Sequence, residues 1–140
     1  MQWDVSKAVE YLRDNAEEHS TGNCARYVRE AIEAGGVTLI RHVSAKNYGS
    51  SLLAVGFILI PSGPDYLHRP GDVGIVQPIK GHPHGHMAMF DGKHWISDFV
   101  QLHGLYPGQS YRKAKPAYSI YRYPTVWTGP DQATDTANLA

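Results

Sequence analysis

The chain has 140 residues, and 13 lysines and arginines against 13 aspartates and glutamates give a formal net charge of zero with histidine neutral. This balance excludes the usual nucleic-acid binder or membrane-surface protein, because both need a surplus of cations. With 42% apolar and 19% charged residues, the composition is that of a folded globular domain rather than a disordered chain.

The single cysteine and the hydropathy pattern exclude further classes of protein. One cysteine cannot form an intramolecular disulfide, so Cys24 serves as packing, as a ligand or as a nucleophile. No apolar run approaches the roughly 20 residues of a membrane span, so we expect no membrane insertion. Residues 1–7 lack the basic and apolar regions of a cleaved signal peptide. We therefore expect synthesis to end in the cytoplasm and export, if any, to use a route other than Sec.

Three helices are predicted in the first part of the chain. Apolar residues at three- and four-residue spacing after a possible Asp4 cap predict a first helix over residues 6–17. A second helix is predicted over residues 24–34, because its apolar side chains share one face and two glycines follow it. A third, shorter helix is predicted over residues 46–55. The second helix places Cys24 at a helix N-terminus.

After the third helix the pattern changes to short apolar runs separated by glycine and proline, which predict five strands. These strands span residues 57–60, 72–77, 86–90, 95–100 and 118–123. The Asp91-Gly92 pair predicts a hairpin between the third and fourth strands. Helices followed by strands predict an α+β fold. We expect one domain over residues 1–128 and a flexible C-terminal tail over residues 129–140, which are polar and without period.

Cys24 is the first candidate for chemistry. A thiol is a good nucleophile only when it is ionised, and the dipoles and free N–H groups at a helix N-terminus lower its pKa. The same N–H groups would point at the oxyanion that forms on an attacked carbonyl. The alternative is a small buried side chain, which is the commoner role of a lone cysteine.

A cysteine nucleophile needs a base and a residue that orients the base. His86 is the best candidate for the base because it begins a predicted strand, and Asp98 on the next strand is the candidate for orienting it. A three-residue hairpin loop would place Asp98 directly opposite His86, whereas a two-residue loop would turn Asp98 to the other face. Because Asp-Gly favours the shorter loop, the sequence leaves this register open. A surface histidine and a strand-end carboxylate are the ordinary alternatives.

Two other classes of site fit parts of the sequence. His82, His84 and His86 on an extended strand would project three imidazoles to one face, with Cys24 as a further zinc ligand. A proline and a glycine between these histidines disfavour a regular strand, and we expect no metal and no other cofactor. Three tryptophans, nine tyrosines and three phenylalanines leave open a non-catalytic glycan-binding module.

Four short motifs follow one another in the order TGNCARYVR (21–29), RPGDVGIV (69–76), HMAMFDG (86–92) and ISD (96–98). In this order they resemble the NlpC and CHAP families of papain-like cysteine peptidases and amidases, over roughly residues 20–100. The resemblance implies a papain-like fold in which N-terminal helices pack on an antiparallel sheet of about five strands. It also implies hydrolysis of an amide through an acyl-enzyme, with Cys24 as nucleophile, His86 as base and then acid, and Asp98 as the orienting residue.

The substrate implied by the resemblance is a stem peptide of peptidoglycan, and its γ-D-glutamyl–diaminopimelate bond is the preferred target. An N-acetylmuramoyl-L-alanine amidase or a phage-type lysin fits the same residues. Ser20, Asn23 and Tyr27 lie near enough in sequence to be candidates for binding the oxyanion or the substrate.

A compact catalytic domain of this kind is also similar to the antibacterial amidase effectors that bacteria deliver by type VI secretion. Such effectors are made with an immunity protein that occludes the active-site groove. This resemblance implies an inhibitor protein as a partner and action in the periplasm of a target cell.

Overall fold

The structure is a computed structural model and describes residues 2–124. It contains α1 (Val5–Asn15), α2 (Cys24–Ala34), a 3-10 turn (Ala45–Asn47), α3 (Gly49–Ala54), β1 (Ile58–Ile60), β2 (Val73–Val76), β3 (His86–Phe90), β4 (Trp95–Ile96), β5 (Val100–Gln101), α4 (Gln109–Ala114) and β6 (Tyr118–Arg122). The strands form one antiparallel sheet in the order β1-β6-β2-β3-β4-β5. The predicted α+β class is confirmed, although the sheet has six strands rather than five among the described residues.

The two long helices pack on each other and on β3. Asp4 begins α1 as predicted, because its carboxylate accepts a 3.0 Å hydrogen bond from the Lys7 N–H. α2 spans the predicted residues and ends at Gly35. Their apolar faces meet the sheet in the main core, which includes Trp3, Leu12, Val28, Ile32, Leu52, Phe57, Met87 and Met89. The start of α2 is thereby fixed against the middle of the sheet.

The aspartate of the RPGD motif holds the centre of the sheet together. Asp72 is fully buried and accepts two 2.8 Å hydrogen bonds from the Arg122 guanidinium on β6 and one of 2.7 Å from the Tyr66 hydroxyl. A buried carboxylate is tolerated when it is paired and hydrogen-bonded in this way. This motif therefore serves the fold rather than the chemistry.

The predicted fourth strand is in fact two short strands joined by a tight turn. β4 ends at Ile96, the Ser97 N–H donates to the Phe99 carbonyl at 3.0 Å, and β5 returns alongside β4. β4 pairs with β3 through Phe90 and Trp95, so residues 91–94 form the hairpin loop. Neither of the two registers considered from the sequence is therefore correct.

The longer hairpin loop has a physical cause at Asp91. Its Oδ1 accepts the N–H groups of Lys93 and His94 at 2.8 and 2.6 Å, and its Oδ2 accepts the Arg13 guanidinium at 2.8 Å. An aspartate that bonds the backbone two and three residues on stabilises a wider turn than the two-residue Asp-Gly loop. The arginine of α1 adds a contact that no local pattern reveals.

The remaining departures concern short elements. The predicted third helix is divided into the 3-10 turn and α3. α4 was not predicted, because a six-residue helix with one buried side chain, Tyr111, shows no apolar periodicity. The predicted tail over residues 129–140 lies outside the described residues. Within residues 2–124, no helix combines the length and apolarity needed to cross a membrane.

Candidate active site

One cavity of about 510 Å³ lies where the N-terminus of α2, the start of β3 and α4 meet. Cys24, His86, Asp98 and Tyr111 are among the residues that line it. The structure thus brings the predicted nucleophile, base and carboxylate into one cavity, together with a tyrosine that the sequence did not point to.

Cys24 is half-buried at the first position of α2. Burial is the largest influence on the thiol and raises its pKa to about 11. The charge of Asp98 raises this pKa further, whereas backbone hydrogen bonds from Met87, Ala25 and Cys24 itself lower it. The helix N-terminus therefore lowers the pKa of the Cys24 thiol, as predicted, but the prediction that this pKa lies below its ordinary value is wrong. At neutral pH the group is a thiol.

His86 is buried at the start of β3, and its ring is held by Gln101. The Nε2 of His86 lies 2.6 Å from the Gln101 Oε1, and the Gln101 amide nitrogen donates to the carbonyls of Gly104 and Leu105 at 2.8 and 2.9 Å. Those two carbonyls fix which end of the amide faces the imidazole. Since the facing atom is an acceptor, a neutral His86 carries its proton on Nε2. The lone pair on Nδ1 is left free to accept a proton.

The surroundings of His86 keep the imidazole neutral. Burial lowers its pKa below the ordinary value of 6.5 and outweighs the hydrogen bond that His86 donates to Gln101 and the charge of Asp98, which both raise it. The neighbouring His82 lowers the pKa further. The resting pair is accordingly a neutral thiol and a neutral base.

Asp98 does not orient His86, and the predicted role of this residue is corrected. At the apex of the turn between β4 and β5, its Oδ2 accepts the Thr21 N–H, the Thr21 hydroxyl at 2.8 Å and the Asn23 N–H at 3.3 Å. Burial raises the pKa of Asp98, but these hydrogen bonds together hold it below 3.8. Asp98 is therefore an anion that fixes the segment leading into Cys24.

Of the three residues proposed from sequence to bind the oxyanion or the substrate, only Ser20 lines the cavity. The Asn23 side-chain amide donates instead to the carbonyl and hydroxyl of Thr21, at 3.2 and 3.1 Å. The Tyr27 hydroxyl donates to Glu17 at 2.6 Å. Asn23 and Tyr27 do not belong to the cavity lining, so the structure does not support these two assignments.

The other histidines near the cavity have partners of their own. His82 packs on Tyr111 with ring centroids 5.2 Å apart, and the His84 Nδ1 is hydrogen-bonded to the Ser44 hydroxyl. In the part of the chain that the structure describes, no group of three or more His, Cys, Asp or Glu side chains is arranged to hold a metal ion.

Sequence reasoning missed Gln101 and Tyr111. Gln101 lies one residue beyond the predicted fourth strand, and its only signal is that it is a polar residue three positions after Asp98. Tyr111 lies in the helix that was not predicted. Both are buried and lie after β4; Tyr111 lines the cavity, whereas Gln101 reaches the site through its hydrogen bond with His86.

Comparisons with known proteins place this chain in a family. No protein-family model and no curated protein matches the chain. The crystal structure of the type VI native effector-immunity complex Tae3-Tai3 from Ralstonia pickettii matches with 55% identity and a TM-score of 0.80, covering 87% of this chain and 100% of that one. Its selenomethionine form matches with 56% identity and a TM-score of 0.77, covering 82% and 98%.

A more distant match shows the fold alone. The structure of Ly7917 with the hydrolyzing product of MDP has 18% identity and a TM-score of 0.52, covering 85% of this chain and 63% of that one. The similarity to the Ralstonia pickettii protein is far higher and extends over that whole chain. The chain therefore belongs to the Tae3 family of type VI secretion effectors.

Proposed function

We propose that this chain is an antibacterial cysteine hydrolase that cleaves an amide bond in the stem peptides of bacterial peptidoglycan. The observation that carries the proposal is that Cys24 and a His86 whose free nitrogen is set by Gln101 line the same cavity of a Tae3-family effector. A neutral imidazole with a lone pair beside a helix-terminal thiol is the arrangement that acyl transfer needs.

The reaction begins from the neutral pair. The Cys24 thiol gives its proton to Nδ1 of His86 as Sγ bonds to the carbonyl carbon, and the carbonyl electron pair moves to the oxygen. The imidazolium then passes this proton to the leaving nitrogen as the C–N bond breaks, which leaves a thioester. Water, deprotonated by the same Nδ1, hydrolyses the thioester and restores the thiol.

Gln101 and Asp98 assist this cycle in different ways. The Gln101 Oε1 accepts from Nε2 in both the neutral and the protonated imidazole, and a bond to the charged form is the stronger of the two. Asp98 favours the imidazolium through its charge and holds Thr21 and Asn23 in place before the nucleophile. Gln101 thus takes the orienting role that the sequence assigned to Asp98.

For the bond that is cleaved, we propose γ-D-glutamyl–diaminopimelate. The support is the resemblance of the ordered motifs to the NlpC family and a cavity large enough for part of a stem peptide. The muramoyl–L-alanine amide and the D-alanyl cross-link offer similar carbonyls, so product masses decide among the three.

We further propose delivery by type VI secretion to the periplasm of a competing cell and control by a cognate immunity protein. The support is the matched structure, which is titled as an effector-immunity complex. An inhibitor that covers the cavity would protect the producing cell from its own enzyme.

The test is mass spectrometry of purified peptidoglycan after incubation with the wild-type protein and with Cys24→Ala, both in the presence of a chelator. We expect new fragments from the wild type alone, with masses that identify the bond. A folded wild type that releases no fragments would refute the proposal. In that case, peptidoglycan binding retained by Cys24→Ala would indicate a non-catalytic binding module.

A further inference from the structure

Tyr111 is held firmly in the wall of the cavity. Only 4% of its surface is exposed, and its ring packs against His82 and His86 with centroid distances of 5.2 and 6.1 Å. Its carbonyl accepts the Lys115 N–H at 2.8 Å, which closes α4. The ring therefore has one well-defined position beside the general base.

The Tyr111 hydroxyl has no hydrogen-bond partner among residues 2–124, although it belongs to a residue lining the cavity. By contrast, the Tyr48 hydroxyl is bonded to the His42 carbonyl at 3.2 Å, the Tyr66 hydroxyl to Asp72 at 2.7 Å, and the Tyr106 hydroxyl to the Pro116 carbonyl. A buried tyrosine normally finds a partner for its hydroxyl. The Tyr111 oxygen is not among the fully buried atoms that lack a partner, so it opens to the cavity, where a group in the bound substrate would be its partner.

The hydroxyl is a donor throughout the relevant pH range. Burial raises the pKa of Tyr111, and so does the charge of a thiolate at Cys24. The influence of Cys24 also means that the phenol lies within electrostatic reach of the nucleophile. A protonated phenol near the attacking sulfur can donate a hydrogen bond to a developing negative charge.

We propose that the Tyr111 hydroxyl donates a hydrogen bond to the oxyanion that forms at the scissile carbonyl, and that it shares this oxygen with the backbone N–H of Cys24. This inference rests on the proposed function. No proton is transferred from the tyrosine: the oxygen accepts its O–H while the C–S bond forms, and the hydrogen bond weakens when the carbonyl is restored as the C–N bond breaks. Tyr111 is thus a catalytic residue that binds the transition state more tightly than the substrate.

The experiment compares Tyr111→Phe with the wild type on the purified muropeptide that the wild type cleaves fastest. Loss of one oxyanion donor is expected to lower kcat about 100- to 1,000-fold, with KM within about threefold. Because the hydroxyl has no partner, its removal is expected to leave the melting temperature unchanged. Tyr106→Phe is the matched control, since it removes a bonded hydroxyl outside the cavity and is expected to keep full activity.

A second measurement separates this role from an effect on the nucleophile. Alkylation of Cys24 by iodoacetamide creates no oxyanion, so Tyr111→Phe and the wild type are expected to react at the same rate. The proposal is overturned if kcat falls less than about threefold, if only KM rises, or if alkylation slows together with kcat. If the wild type itself cleaves nothing, the proposed function fails first. If the wild type cleaves and Tyr111→Phe cleaves equally well, only the role of Tyr111 fails.

Discussion

Replacing Gln101 by leucine tests whether this glutamine orients the catalytic base. The substitution keeps a buried side chain of similar length but removes the acceptor that lies 2.6 Å from Nε2 of His86. A hydrogen bond to a charged group contributes about 1.5–3 kcal/mol. Since about 1.36 kcal/mol corresponds to a tenfold change in rate, kcat/KM is expected to fall about 10- to 150-fold. The loss should appear mainly in kcat, because the bond matters most when the imidazole is protonated.

Gln101→Glu is the matched variant, because it keeps an acceptor for Nε2 and adds a negative charge. It is expected to retain more activity than Gln101→Leu and to raise the pKa of His86, which moves the acid limb of kcat/KM to higher pH. Both variants lose the donors to the carbonyls of Gly104 and Leu105 and are expected to melt earlier than the wild type. Assays are therefore run well below the melting temperature of each variant.

A folded Gln101→Leu protein whose kcat/KM is within threefold of the wild type would refute this assignment. If Asp98→Leu were inactive in the same assay while equally well folded, the orienting role would return to the carboxylate. The loss of activity distinguishes the two cases and the pH profile does not, because removal of either the Gln101 acceptor or the Asp98 charge lowers the pKa of His86 and shifts the acid limb to lower pH.

Three further predictions follow from the same structure. Burial favours the neutral forms of both His86 and Cys24. The acid limb of kcat/KM is therefore expected below pH 6.5, and an acid limb above pH 6.5 would contradict this. The rate of alkylation of Cys24 is expected to increase as pH rises towards about 11. Asp98→Asn should speed alkylation of Cys24 at pH 8, since the carboxylate raises the thiol pKa. In thermal melts the wild type should lose stability as pH falls below 3.8, because its Asp98 carboxylate becomes protonated, and Asp98→Asn should lose less over the same range. Gly35→Ala should cost about 1–3 kcal/mol in urea unfolding because its Cβ would overlap Trp3 and the Asp4 carbonyl, whereas Gly63→Ala, with open space around it, should change little.

The helices and most strands could be predicted because their signals are local. The bounds of α2 were predicted to the residue, because its apolar residues share one face and two glycines follow its last residue. β3 was likewise placed at its exact residues, because a short apolar run there is flanked by glycines and aspartate. α4 lacks such signals, since six residues with one buried side chain leave no period to detect.

The proposed nucleophile and the proposed base could be located at the ends of their elements for the same local reason. Cys24 begins a recognisable helix, and His86 begins a recognisable strand. The pKa of the thiol could not be predicted, because its sign depends on how deeply the helix start is buried. Burial is a property of the packed structure, and here it exceeds the effect of the helix N–H groups.

The third residue of the site depends on a chain of contacts that begins far from it in sequence. The Arg13 guanidinium bonds Asp91 across 78 positions, and Asp91 in turn holds the backbone of a four-residue hairpin loop. With that loop, β4 is only two residues long, and the turn at Asp98 brings the chain back so that Gln101 reaches His86. The same turn leaves Asp98 facing the segment before Cys24 rather than the imidazole. Neither the two-residue loop that Asp-Gly favours nor the three-residue loop that would face Asp98 to His86 gives this register, so local turn preferences do not identify Gln101 as the partner of the base.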